Sequence, residues 1–91
     1  MYFVYILESI KLNKLYIGYT KDLVKRLLNH NRGKQRWTRR GVPWKMICNI
    51  GVETKKEAIV LEKRLKKYKN PKHLKKLISD GSIAQLARAL T

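Results

Sequence analysis

Five polar side chains in this chain stand where a purely structural pattern does not need them. Tyr5 and Tyr16 each lie inside an apolar run, in Val4-Tyr5-Ile6 and Tyr16-Ile17-Gly18, and Gly18 leaves room for close approach of a backbone or a ligand. Arg26 and His30 are four positions apart, so a helix would put them on one face. Glu62 is a lone carboxylate in a segment otherwise full of Lys and Arg. Each residue type has its chemistry. A single glutamate can hold one Mg²⁺ or Mn²⁺, with waters completing the octahedral shell. A guanidinium can fork onto phosphate oxygens and hold developing charge. A tyrosine, with a pKa of about 10 in peptides, serves as a base only if a neighbouring cation lowers that value. A histidine can orient a partner or relay a proton near neutral pH. Each also has a plainer use: ring packing for the tyrosines, a solvated helix base for Arg26, and a packed or surface imidazole for His30. For Glu62 it is an i,i+4 pair with Lys66, worth about 0.3–0.5 kcal/mol if exposed.

The chemistry requires elements that bring these residues together. Residues 2–8 and 13–19 are rich in β-branched and aromatic side chains and read as two strands, with 9–12 as a hairpin connection. Thr20 offers a helix N-cap, with Asp22 in the first turn. Leu23, Val24, Leu27 and Leu28 follow as an apolar stripe at helical spacing, and Gly33 is the stop. Residues 31–43 form a loop holding Arg32, Lys34, Arg36, Arg39 and Arg40, which are expected to contact phosphates. Residues 44–52 read as a third strand. Thr54 and Glu57 form a capping box for a helix reaching about residue 69, with Ala58, Leu61, Leu65 and Tyr68 inward. Asn70 caps a last short helix that starts at Pro71 and carries Leu74, Leu77 and Ile78. The order β-β-α-β-α-α predicts an α+β domain over residues 1–80: a small three-stranded, mainly antiparallel sheet flanked by helices. Residues 81–91 are expected to form a mobile tail. Tyr5 and Tyr16 are eleven positions apart, an odd number, so strand alternation alone does not put them on one face. The turn must set that register.

Composition narrows the partners. The 91 residues carry 22 Lys and Arg against 6 Asp and Glu, a net charge of +16. Such an excess calls for an anionic partner, nucleic acid first and an anionic membrane second. The bases are interleaved with apolar residues, as on the face of a folded domain, and no basic helix has an apolar membrane face. One cysteine, Cys48, excludes an intrachain disulfide framework and a cysteine zinc site, and is expected to fill core. Without an apolar run of about 18 residues or a basic leader, the expectation is a cytoplasmic, reducing-compartment domain. Trp37 can stack on a base, whereas Trp44 beside Pro43 reads as packing.

In this order and at these spacings, the residues resemble the GIY-YIG nuclease superfamily, in particular its small stand-alone bacterial members. The likeness rests on Val4-Tyr5-Ile6-Leu7, Tyr16-Ile17-Gly18-Tyr19-Thr20, Asp22-Leu23, Arg26-Leu27 and His30-Asn31. It continues through Gly33-Lys34, Pro43-Trp44-Lys45, Glu57-Ala58 and Leu61-Glu62-Lys63, and spans about residues 1–78. Phe3 stands where the first motif usually has glycine. The resemblance implies a divalent-metal-dependent endonuclease acting on DNA, with Tyr5 and Tyr16 around the attacking water, Arg26 on the phosphate and Glu62 on a single Mg²⁺ or Mn²⁺. His30 would orient or relay. With no room for an added specificity domain, cleavage is expected to have little sequence preference, or to borrow it from a protein partner. The alternative is a non-catalytic nucleic-acid-binding module on the same scaffold.

Overall fold

Tyr2–Ser9 (β1) and Lys14–Thr20 (β2) pair antiparallel as the expected hairpin. The turn passes through Asn13, whose φ of 53° is in the left-handed region that asparagine enters more readily than most residues. The computed structural model describes residues 1–33, 38–68 and 70–83. On its other side β1 pairs antiparallel with Lys45–Val52 (β3), so the sheet order is β2-β1-β3 and β2 is an edge strand. The helices are Leu23–Asn31 (α1), Lys55–Lys66 (α2) and Pro71–Ser79 (α3). The expected α+β order β-β-α-β-α-α is therefore the observed one.

The hairpin register decides which face each tyrosine occupies. Tyr5 is opposite Gly18, and Leu7 is opposite Tyr16. Cross-strand partners point the same way, as do residues two apart on one strand. Tyr5, Leu7, Tyr16 and Gly18 thus share one face, while Val4, Ile6, Ile17 and Tyr19 share the other. The second face carries the larger core, closed by Ala58, Leu61 and Leu65 of α2, by Leu74 of α3 and by Ile83. The first face is covered by Leu23 and Leu27 of α1 and by Trp44. A slip of β2 by one residue would turn Tyr16 to the α2 side and leave Tyr5 on the other face.

Local details depart from the sequence reading in four places. The α1 cap is Asp22, whose carboxylate accepts the Lys25 N–H at 3.0 Å. Thr20 instead closes β2 and accepts the Asp22 N–H at 3.1 Å, which tightens the entry to the helix. Only half of the α1 apolar stripe is inward, since Val24 is 71% and Leu28 47% exposed, because a nine-residue helix lays one narrow line of side chains on the sheet. Glu57 reaches back to the N–H of Glu53, at 3.4 Å, and not to that of Thr54. The Thr54 half of the box forms as expected, accepting the Glu57 N–H at 3.2 Å. Finally, α2 ends at Lys66, short of residue 69. Asn70 does cap α3, accepting the Lys72 N–H at 2.9 Å. Past α3, the Ser82 N–H bonds to the Leu77 carbonyl, and Ile83 is buried. Residues 84–91 lie outside the described residues, as do Lys34, Arg36 and Trp37 of the basic loop. None of the described helices is long and apolar enough to cross a membrane.

Candidate active site

The edge position of β2 creates the site. Arg26 comes from α1, over one face of the sheet, and Glu62 comes from α2, over the other. Because no strand among the described residues lies beyond β2, the two side chains can meet around its edge. There they line a cleft of about 260 Å³ together with Tyr5, Tyr16, Gly18 and Lys66. Gly18 keeps the cleft open. A Cβ at that position would lie 2.7 Å from the Tyr5 hydroxyl and 3.1 Å from Cε1 of Tyr16. The glycine singled out in the sequence for close approach is approached by the protein's own tyrosine.

His30 is placed differently. It is fully buried behind Tyr5 and does not line the cleft. Its Nε2 is 3.1 Å from the Tyr5 hydroxyl, and its Nδ1 is 2.7 Å from Oγ1 of Thr38. The Tyr16 ring and the imidazole meet edge-to-face, with centroids 4.9 Å apart. Thr38 is held in turn by Trp44, whose indole N–H donates to the Thr38 carbonyl at 2.6 Å. Asn31 fixes the Trp44 backbone through both its amide groups. Sequence reasoning missed Thr38 altogether and saw Asn31 only as part of a motif. One threonine in a loop read for its charge gives no periodic signal. Trp44 is buried, in the packing role expected of it.

Electrostatics modify the expected role of Tyr5. Burial pushes its hydroxyl pKa well above the ordinary value, and Tyr16 adds to the effect. Arg26 supplies the cation that lowers it, by charge and by a hydrogen bond, but burial outweighs that pull. Tyr5 is therefore a protonated phenol at neutral pH. Burial, then the Arg26 charge, lowers the His30 pKa from its ordinary 6.5, so the imidazole is neutral. A neutral imidazole has one N–H and one acceptor nitrogen. Either Tyr5 donates to Nε2 while Nδ1–H donates to Thr38, or both bonds run the opposite way.

The lowered His30 pKa carries a stability prediction. The unfolded chain takes up this proton more readily than the folded one, so acidification favours unfolding. The histidine's contribution is complete above the unfolded value and is lost as pH falls through the folded one. Thermal midpoints should drop as pH falls below the ordinary histidine value of 6.5, and His30→Asn should flatten that acid limb whatever its effect on the plateau. Parallel curves for the two proteins would take His30 out of the acid response.

Glu62 is mostly shielded, with 17% of its side chain exposed, and its Oε1 holds the Lys66 ammonium at 2.6 Å. The plain i,i+4 pairing and the cleft position are therefore both realised. Among the described residues no group of three or more His, Cys, Asp or Glu could hold a metal ion. A zinc-type cage is thus not offered here. A carboxylate that already binds a cation, opening on a solvated cleft, does suit a hard ion that keeps most of its waters.

Cationic clefts flank the site. On one side Arg39 and Arg40, in the 3-10 turn Arg39–Gly41, line a cleft with Lys14 and Tyr16. Arg39 is steadied by its Nε–H bond to the Gly33 carbonyl, 3.0 Å. Arg32 is exposed at the C-cap of α1. On the other side Lys21, Lys25 and Lys55 line a cleft with Arg26. The sequence reading had not singled out these three lysines, which nothing in a chain of 22 bases distinguishes from the others.

A family model for the GIY-YIG catalytic domain matches residues 1–76. The chain belongs to the GIY-YIG family. Among its relatives, a UPF0213 protein of Streptococcus pneumoniae serotype 4 is 41% identical over 70 residues, covering 76% of this chain and 70% of the relative. A UPF0213 protein of Staphylococcus saprophyticus is 36% identical over 81 residues, covering 88% and 96%. One from Bacillus velezensis is 44% identical over 61 residues, covering 66% and 62%. No solved structure matches the chain. GIY-YIG domains are nuclease domains and generally use a divalent metal ion, with nucleic acid as substrate.

Proposed function

We propose that this GIY-YIG chain is a divalent-metal-dependent endonuclease that hydrolyses phosphodiester bonds in DNA with little sequence preference of its own. The supporting observation is the convergence of Tyr5, Tyr16, Arg26 and Glu62 on one cleft, open at Gly18 and flanked on both sides by cations. Arg26 forks onto the phosphate and stabilises the charge that builds up as the bond breaks. Glu62 would hold one Mg²⁺ or Mn²⁺, which supplies charge neutralisation and polarises water or the leaving oxygen. Tyr5, protonated and bonded to neutral His30, passes its own proton to Nε2 as it accepts one from the attacking water, so no free phenolate is needed. Thr38 fixes the imidazole for that transfer. Tyr16 walls the far side of the cleft. Arg32, Arg39 and Arg40 draw in the flanking phosphates, along with Lys34 and Arg36. A protein partner would supply any site selection.

Incubation with duplex, single-stranded and branched DNA tests this directly. Cleavage is expected with Mg²⁺ or Mn²⁺ and none in EDTA. Binding without cleavage on every substrate would favour the non-catalytic module.

A further inference from the structure

The free edge of β2 opens beside the cleft into a larger groove of about 700 Å³. Its walls include Leu15, Ile17, Tyr68 and Leu74, and Lys14 and Lys66 stand among them. Tyr16, Ile17 and Lys66 line both the groove and the cleft, so the two are continuous. We propose that this groove receives the base of an unpaired nucleotide next to the bond presented to Arg26 and Glu62, which makes the preferred substrate a duplex with a bulged or flap nucleotide. The inference rests on the nuclease reading for the neighbouring cleft, and it concerns the substrate's structure, which that reading leaves open.

The groove's size lies within the roughly 300–1,000 Å³ of ordinary ligand sites. Its surface suits a base. The Tyr68 ring meets the His73 ring edge-on, with centroids 5.1 Å apart and planes at 85°, which limits its rotation. Such a ring stacks on any base, because every base has a π face. As β2 has no neighbouring strand beyond it among the described residues, its outward N–H and C=O groups at this edge are available to the polar rim of a base. Lys14 and Lys66 provide charge for the phosphates on either side, and no carboxylate is among the described lining residues. In an intact duplex the bases stay stacked inside the helix and do not reach a wall groove. The other natural occupant of a free strand edge is a second copy of the chain. Two surfaces of a +16 protein repel each other, which favours the anionic occupant.

The test is binding in EDTA, where cleavage does not intervene. The probes are two DNA duplexes that differ by one extrahelical 2-aminopurine. Stacking predicts about 5- to 150-fold tighter binding of the bulged duplex by the wild type, with quenching of the 2-aminopurine. Tyr68→Ala should lose the preference while keeping affinity for the paired duplex, and Tyr68→Phe should retain both. Equal affinity of the wild type for the two duplexes overturns the inference, and needs no variant to fold. So does a concentration-dependent dimer in sedimentation that Leu15→Lys disrupts, since a second copy would then hold the edge. The nuclease reading is judged separately, by metal-dependent cleavage. Equal binding with cleavage intact overturns the groove alone, whereas a bulge preference without any cleavage supports the groove and removes the nuclease.

Discussion

Glu62→Gln should reduce metal-stimulated cleavage by at least about 10³-fold while leaving DNA affinity within severalfold of wild type. The two effects separate because the carboxylate faces a cleft that must accept both a cation and a phosphate. Glutamine keeps the shape of the side chain but loses the charge that binds a hard ion. The fold has little at stake. What is lost is one i,i+4 pair with Lys66, whose side chain is 54% exposed, worth at most about 0.5 kcal/mol. DNA binding should hold or rise slightly, since a negative charge leaves the phosphate path and the Lys66 ammonium is released. The measurements are a cleavage time course in Mg²⁺, a gel shift in EDTA and a thermal melt. Cleavage by the variant at the wild-type rate would place the metal elsewhere. A melt lowered by several degrees would give Glu62 a structural role that its geometry does not show.

Much of the fold was legible because the signals are local. The strands alternate and are aromatic or β-branched, and each is found within one residue of its expected limits. What local signals did not give was register. Tyr5 and Tyr16 could have faced apart, and the left-handed Asn13 turn that aligns Leu7 with Tyr16 left no trace in residue spacing. The α1 stripe misled for a related reason: spacing shows that four apolar residues share a helix flank, not how much of the flank touches the sheet. Residue types at the site were legible, as Tyr, Arg and Glu at isolated positions draw attention. Their support was not. Thr38 and Asn31 act across 8 and 13 positions through hydrogen bonds that follow no period. The acidity of Tyr5 was left conditional on a neighbouring cation, because the cation, Arg26, is identifiable in the sequence whereas the depth of burial that outweighs it is not.

Gly18→Ala and Tyr5→Phe test the same contact from its two sides. An alanine Cβ would sit 2.7 Å from the Tyr5 hydroxyl and 2.9 Å from Cζ, closer than real Cβ contacts come. Tyr5 has little room to retreat. It is 1% exposed, and behind it His30 is bonded to Thr38. Overpacking of this kind costs roughly 1–3 kcal/mol. A displacement of the hydroxyl by about 1 Å should lower cleavage about 10²-fold. Tyr5→Phe removes the oxygen and keeps the ring. It leaves Nε2 of a buried histidine without its partner, at about 1–3 kcal/mol, and should lower cleavage by about 10²–10⁴-fold if the hydroxyl handles the water's proton. The double variant distinguishes the two losses. With the oxygen gone, the closest part of the clash is relieved, so Tyr5→Phe/Gly18→Ala should be more stable than the sum of the single changes predicts. Cleavage should not recover, because relieving the clash does not restore a proton carrier. Strict additivity in stability would mean that Gly18 is there for some reason other than the hydroxyl. Wild-type cleavage by Tyr5→Phe would leave the Tyr5 ring as packing and assign the water to Tyr16.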